Sequence, residues 1–131
     1  MKPKKFLIEK IPSYGPYSTC IFVENFLFVS GQIANIEVES ETNKLIRNSI
    51  EMETNYVMNN LKIILLENKM GFQDVIKTSI FVKNMNDFSI INEVYSRFFN
   101  KGDYPARETV QVSGLPKRAN VEISLIAYKK K

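Results

Sequence analysis

The sequence contains no histidine and a single cysteine, Cys20. Without histidine, imidazole general bases, Ser-His-Asp triads, HExxH zinc sites and Cys2His2 fingers are all excluded. One cysteine can neither close an internal disulfide nor supply a CxxC pair, which fits a reducing compartment. Long apolar runs are missing too, so nothing approaches the roughly 20 residues needed to cross a bilayer. The basic start, Met1-Lys2-Pro3-Lys4-Lys5, leads into no extended apolar segment of the secretory kind, and the cytoplasm is the expected location. Neither GxGxxG nor a P-loop occurs, so a phosphate cradle of either type is absent. Whatever chemistry the chain performs must run on carboxylates, Arg, Lys, Tyr, hydroxyls, backbone groups and water.

What is present is ordinary in bulk. The 131 residues, 44% hydrophobic and 24% charged, are enough for one domain with a real core. The net charge of +4 is concentrated at the ends, in Lys2, Lys4 and Lys5 and in Lys129 to Lys131. Such tails could touch RNA or another anionic surface. No aromatic platform is interleaved with them, so solvated, frayed termini are the favoured reading.

Periodicity supplies the elements. Phe6 to Glu9 reads as a short first strand. Ser18 to Val23 and Phe26 to Ser30 read as a hairpin turning at Glu24-Asn25. Ile36 to Arg47 is polar and reads as a surface loop. Ile50 to Asn68 has a helical stripe of Ile50, Val57, Leu61, Ile64 and Leu65, with Glu51, Glu53 and Lys62 off the stripe and Gly71 as a stop signal. Val75 to Val82 is a β-branched strand with apolar residues on both faces. A second helix carries Phe88, Ile91, Tyr95 and Phe98 after cap candidates in Asn84 to Asp87, and Gly102 to Pro105 breaks it. Arg107 to Val112 and Val121 to Tyr128 are the last strands. Two helices on one face of a mixed sheet make an α+β fold whose other face asks for a cover, most simply a neighbouring subunit. Met52, Met58 and Met70 read as core filling.

Three places could carry chemistry. On a strand, Arg107 and Thr109 share a face while Glu108 points the other way. A guanidinium beside a hydroxyl is a small anion site, and its planar fork suits a carboxylate. On composition alone, a surface or structural arginine is the favoured reading, since most charged residues are solvated. Glu122 stands among Val121, Ile123 and Leu125. If it lay beside Arg107 on an adjacent strand it would be charge-paired, partly desolvated and able to hold a water; otherwise it is an exposed strand residue. Gly31, in Ser30-Gly31-Gln32, permits close backbone approach, or is a plain turn glycine.

Read in order, Tyr14-Gly15-Pro16-Tyr17-Ser18, Phe28 to Ile33, Asp74 to Thr78, Met85 to Phe88, Ile91 to Tyr95, Pro105-Ala106-Arg107, Leu115-Pro116-Lys117 and Val121-Glu122-Ile123 resemble the RidA/YjgF family of reactive intermediate deaminases. The resemblance spans nearly the whole chain. It implies a chorismate-mutase-like α+β fold, a mixed sheet with two helices packed on one face, and a homotrimer with sites at subunit interfaces. It implies hydrolysis of 2-aminoacrylate, 2-iminobutanoate and related enamines or imines to 2-oxo acids and ammonia, with no metal or organic cofactor. Such intermediates leak from pyridoxal-phosphate dehydratases acting on serine or threonine. By this resemblance Arg107 is the carboxylate clamp and Glu122 the acid that positions water. Tyr17, Gly31, Asn92 and Thr109 are implied as substrate-binding residues. Thr109 stands where many relatives have cysteine, and Glu108 where the family usually has a small residue. A bulge at Glu108 would push it into the anion site; strand alternation turns it away. Alternatives in the same fold are a non-catalytic small-carboxylate binder and an RNA-interacting, translation-inhibitor-like protein, whose support is the basic tails; nucleic acid is not the expected partner.

Overall fold

The computed structural model describes residues 2–34 and 49–130. The expected loop from Ile36 to Arg47 lies outside them. The described elements are β1 (Lys4–Phe6), β2 (Cys20–Val23), β3 (Phe26–Gln32), α1 (Ile50–Glu67), β4 (Val75–Val82), α2 (Phe88–Ser96), β5 (Ala106–Gln111) and β6 (Val121–Tyr128), with short 3-10 turns at Phe72–Asp74, Met85–Asp87 and Pro116–Arg118. The strands form one six-stranded sheet in the order β1-β2-β3-β6-β4-β5. Only β4 and β5 run parallel among its pairs. The mixed sheet with helices on one side is the expected α+β arrangement.

Local chemistry explains most boundaries. Glu24 and Asn25 both take positive φ, 52° and 77°, the signature of a two-residue turn whose twist matches its flanking strands. Ser49 caps α1, its side chain accepting from the Met52 N–H at 3.2 Å. Ser49→Ala should therefore cost about 1 kcal/mol, read as a lower urea midpoint at unchanged slope. Asn84 caps the turn that leads into α2 by accepting from the Asn86 N–H.

The core lies between α1 and the sheet, with α2 packed beside α1. Val57, Met58, Leu61, Ile64 and Leu65 of α1 are buried against Leu27, Ile80, Val82, Val121, Ile123 and Leu125. Cys20 is buried in the same core, and burial pushes its thiol up despite a hydrogen bond from Asn68.

Several expectations need correction. The first strand is Lys4–Phe6, not Phe6 to Glu9, because β1 is an exposed edge held by backbone pairing to β2 and needs no buried side chains. The tails are accordingly tied in part: Lys4 and Lys5 belong to this strand, and Lys129 donates to the Lys69 and Asn25 carbonyls. The left-handed residue closing α1 is Lys69, at φ 58°, not Gly71. Helix α2 stops at Ser96, and Phe98 and Phe99 follow in a turn that stacks them on Phe72. Met58 and Met70 are core, but Met52 is exposed. The outer face of β4 is mixed rather than apolar, presenting Lys77, Ser79 and Phe81. Glu53, expected off the helical stripe, is 1% exposed.

Candidate functional site

Arg107 emerges on edge strand β5 opposite Thr78 of β4. Cross-strand partners share a face, and Thr78 is buried on the helix-covered side, where its hydroxyl bonds the Tyr95 hydroxyl at 2.8 Å. The guanidinium therefore leans over α2. It lies 5.1 Å from the Tyr95 ring centre and 5.6 Å from that of Phe88, and its Nη1 donates to Asn92 Oδ1 at 2.6 Å. Phe88, Asn92 and Tyr95 fall at i, i+4 and i+7, one face of the helix. Two rings and one amide oxygen thus fix the guanidinium while leaving donors unused. A cleft of about 360 Å3 opens here, lined by Arg107, Asn92, Tyr95, Ser96, Tyr104 and Pro105. Burial pushes the Tyr95 hydroxyl up, partly offset by Thr78 and by the Arg107 charge. Thr109 follows on the same face, opposite Ile80, with its hydroxyl oxygen buried and without a hydrogen-bond partner.

Glu108 points the other way, with no register shift along β4–β5. It accepts from the Ser79 hydroxyl and pairs with Lys77 at 2.9 Å, and these partners hold its carboxyl below the usual range, Ser79 first. It is kept out of the Arg107 cleft, as alternation predicts.

Glu122 lies elsewhere. It is not on a strand adjacent to Arg107, because β4 runs between β5 and β6. Its partner on β4 is Phe81, three residues from Thr78, and an odd step along a strand reverses the face. Arg107 and Glu122 therefore stand on opposite faces of the sheet within one chain. Glu122 sits against Gly31, where a register irregularity between Val29 and Gln32 bends β3. A Cβ on Gly31 would come within 2.7 Å of the Glu122 carboxyl, so the missing side chain is what lets the acid lie on the backbone. A cleft of about 290 Å3 is lined by Glu122 and Gly31 with Tyr14, Tyr17, Ser30, Ile33 and Pro116. The Tyr17 hydroxyl accepts from the Tyr14 N–H at 3.2 Å, which folds this loop over the cleft. Burial alone pushes the Glu122 carboxyl up. Lys117 and Arg118, beside Pro116, both take left-handed backbone at φ 56°, a costly conformation for residues with a Cβ.

The six sequence candidates thus fall into two groups, candidate half-sites: Arg107, Asn92 and Thr109 on one face, Tyr17, Gly31 and Glu122 on the other. The aromatic bed of Phe88 and Tyr95 was hidden in the sequence because both residues fit the helix's core stripe. The polar Asn92 interrupting that neighbourhood was its only signal. Among the described residues no three Asp, Glu or Cys side chains gather into a group that could hold a metal ion. No described helix is long and apolar enough to cross a membrane.

Comparison with known proteins agrees with this architecture. The family described as Endoribonuclease L-PSP matches residues 7–129. A RutC family protein of Pyrococcus abyssi is 42% identical, over 98% of this chain and 99% of its own length. Among solved structures, a protein of the conserved Rid family from Yersinia pestis is 36% identical with a TM-score of 0.85, covering 98% of this chain and 100% of that one. Escherichia coli TdcF, solved with bound serine, is 30% identical with a TM-score of 0.83, covering 97% of this chain and 100% of that one. With the same mixed sheet, the same two helices and this extent of identity, the chain belongs to the RidA/YjgF family, which also carries the names RutC and endoribonuclease L-PSP.

Proposed function

We propose that the protein is a hydrolytic deaminase of small enamine and imine acids, such as 2-aminoacrylate and 2-iminobutanoate, working in the cytoplasm as a homotrimer. The observation that carries this reading is the ring-backed, incompletely used guanidinium of Arg107, a ready seat for a planar carboxylate. The serine seen in TdcF is a small amino-acid carboxylate, the same class of ligand.

The two half-sites complete each other only between copies. Arg107 stands at the β5 edge and Glu122 on the open sheet face. A second copy laying its edge on that face would bring guanidinium and carboxyl to one ligand. The resulting chemistry is simple. Arg107 takes the substrate carboxylate, with backbone around Thr109 and Gly31 adding hydrogen bonds. The enamine CH2=C(NH3+)COO− tautomerises to the iminium CH3C(=NH2+)COO−. Glu122 takes a proton from water as the oxygen attacks C2, forming a carbinolamine. It returns that proton to nitrogen, the C–N bond breaks, and the carbinol proton is lost to give pyruvate and ammonium. An acid whose carboxyl is raised by burial suits both proton transfers. The iminium is already electrophilic, so orientation and charge placement are all the protein must supply.

The direct test is a threonine or serine dehydratase reaction in which released imine is followed with and without the protein. Faster 2-oxo acid formation, saturating in protein, is expected; an unchanged rate sinks the proposal. Gly31→Ala gives a sharper expectation. The heavy atoms nearest the new methyl all belong to the Glu122 side chain, which can move, so melting should change little while turnover falls about tenfold or more through displacement of the acid. Parallel loss of fold and activity would contradict that.

A further inference from the structure

The geometry points to Glu53 as a positioning residue that fixes Glu122 and the walls of its cleft through Asn120. This deepens the reading of Glu122 as the water-positioning acid and rests on it.

Glu53 lies in the first turns of α1, on the covered side of the sheet, and is 1% exposed. Its carboxylate forms no ion pair among the described residues. Instead both oxygens are taken by one residue 67 positions away: the Asn120 N–H donates to Oε2 at 2.7 Å and Asn120 Nδ2 to Oε1 at 2.8 Å. A carboxylate this deep is expensive unless hydrogen-bonded, although the nearby helix N-terminus helps it. A carboxamide or hydroxyl could cap one N–H more cheaply. A carboxylate fits because Asn120 turns two donors side by side toward Glu53, and a carboxylate answers them with two acceptors.

Asn120 stands where this matters. Just before it, Lys117 and Arg118 hold left-handed backbone that must be stabilised from outside. Just after it, β6 begins and Glu122 leaves on the far face. Its carbonyl accepts from the Lys83 N–H at 3.0 Å, so the residue is held from both α1 and the end of β4. Pro116, at the other end of the strained turn, lines the Glu122 cleft. A shift at Asn120 therefore moves the acid and one wall of its cleft together.

Glu53→Gln keeps the shape but turns one acceptor into a donor facing a donor. Adding Asn120→Asp reverses the pair: the new amide oxygen still accepts the backbone N–H, and its NH2 now meets a carboxylate. The readouts are thermal melting, kcat and KM in the dehydratase-coupled assay, and the Glu122 titration midpoint by carboxyl NMR on the full chain. Tyr14 and Tyr17, with Lys117 over the Tyr14 ring, are the other titratable groups described around this cleft, and all are unaltered. Glu53→Gln is expected to lower kcat about tenfold with KM nearly unchanged. It should also bring the Glu122 midpoint down toward that of a solvated carboxyl as water enters. The double variant should restore both. A Glu122 midpoint and kcat that stay at wild-type values while melting falls would reduce Glu53 to a structural residue and overturn the inference. So would a double variant that recovers melting but not the midpoint. If Glu53→Gln does not fold, Asn120→Ala, which deletes only the side-chain bond, is read the same way. If the wild-type protein turns over no imine, the proposed function fails, and the titration alone decides the positioning role.

Discussion

Arg107→Lys is expected to lower kcat/KM for 2-aminoacrylate hydrolysis about a hundredfold. Lysine keeps the charge but presents a compact ammonium in place of the planar fork. It cannot hold a carboxylate through two parallel N–H bonds while also donating to Asn92 Oδ1, as Arg107 does at 2.6 Å. It also stacks less well over the Tyr95 and Phe88 rings. Losing one charge-assisted hydrogen bond costs about 1.5–3 kcal/mol, and about 1.4 kcal/mol is tenfold in rate. A misaligned substrate adds to the loss. The check is paired: steady-state kinetics, and pyruvate affinity by calorimetry, which should weaken alongside. The fold should be spared, because Arg107 is only part-buried and stands on an edge strand. Unchanged pyruvate binding would show that the carboxylate sits elsewhere.

Glu122→Gln is expected to separate binding, turnover and stability. Removing a positioned acid–base group typically costs a hundredfold to about ten-thousandfold in rate. Pyruvate binding, which the proposed function assigns to Arg107, should be nearly retained. Stability should not fall, and the sign follows from the direction of the pKa shift. Burial raises the folded-state carboxyl above its unfolded value. The stabilising contribution of the protonated acid is thus fully present below the unfolded pKa and lost as pH rises through the folded one. Above the folded-state pKa the ionised wild-type side chain is a liability that the amide removes. The variant should therefore melt at or above the wild-type temperature at pH 7, with the difference shrinking in acid. A lower melting point at pH 7, or equal losses of binding and turnover, would remove Glu122 from the water-positioning role.

How much of this was readable beforehand depended on whether a feature is local. Strands Val75–Val82 and Val121–Tyr128 and the turn at Glu24-Asn25 follow from β-branched runs and from the backbone demands of a tight hairpin. The outward placement of Glu108 follows from alternation alone. Strand order does not follow from local pattern. That β4 separates Arg107 from Glu122, and that the pairings of Thr78 and Phe81 put the two on opposite faces, is set by long-range pairing. The adjacent-strand pairing that would have put Arg107 beside Glu122 within one chain is not the one found. Glu53 was misplaced for a related reason. Its burial is made acceptable by Asn120, a partner that helical periodicity cannot reveal. The first strand was expected at Phe6 to Glu9 instead of Lys4–Phe6 because an exposed edge strand has no hydrophobic alternation to fix its bounds.

The central claim is that one working site takes Arg107 from one copy and Glu122 from another. The most direct measurement mixes two inactive proteins, Arg107→Ala and Glu122→Gln, by joint unfolding and refolding or by coexpression. If each site draws on two subunits, random assembly at equal amounts gives about a quarter of the sites an intact arginine facing an intact glutamate. Deaminase activity should then reappear at about a quarter of the wild-type rate per site, and should be absent when the two are mixed without exchange. Activity that never rises above that of the separate variants, in mixtures shown to contain both chains in one assembly, would contradict a shared site.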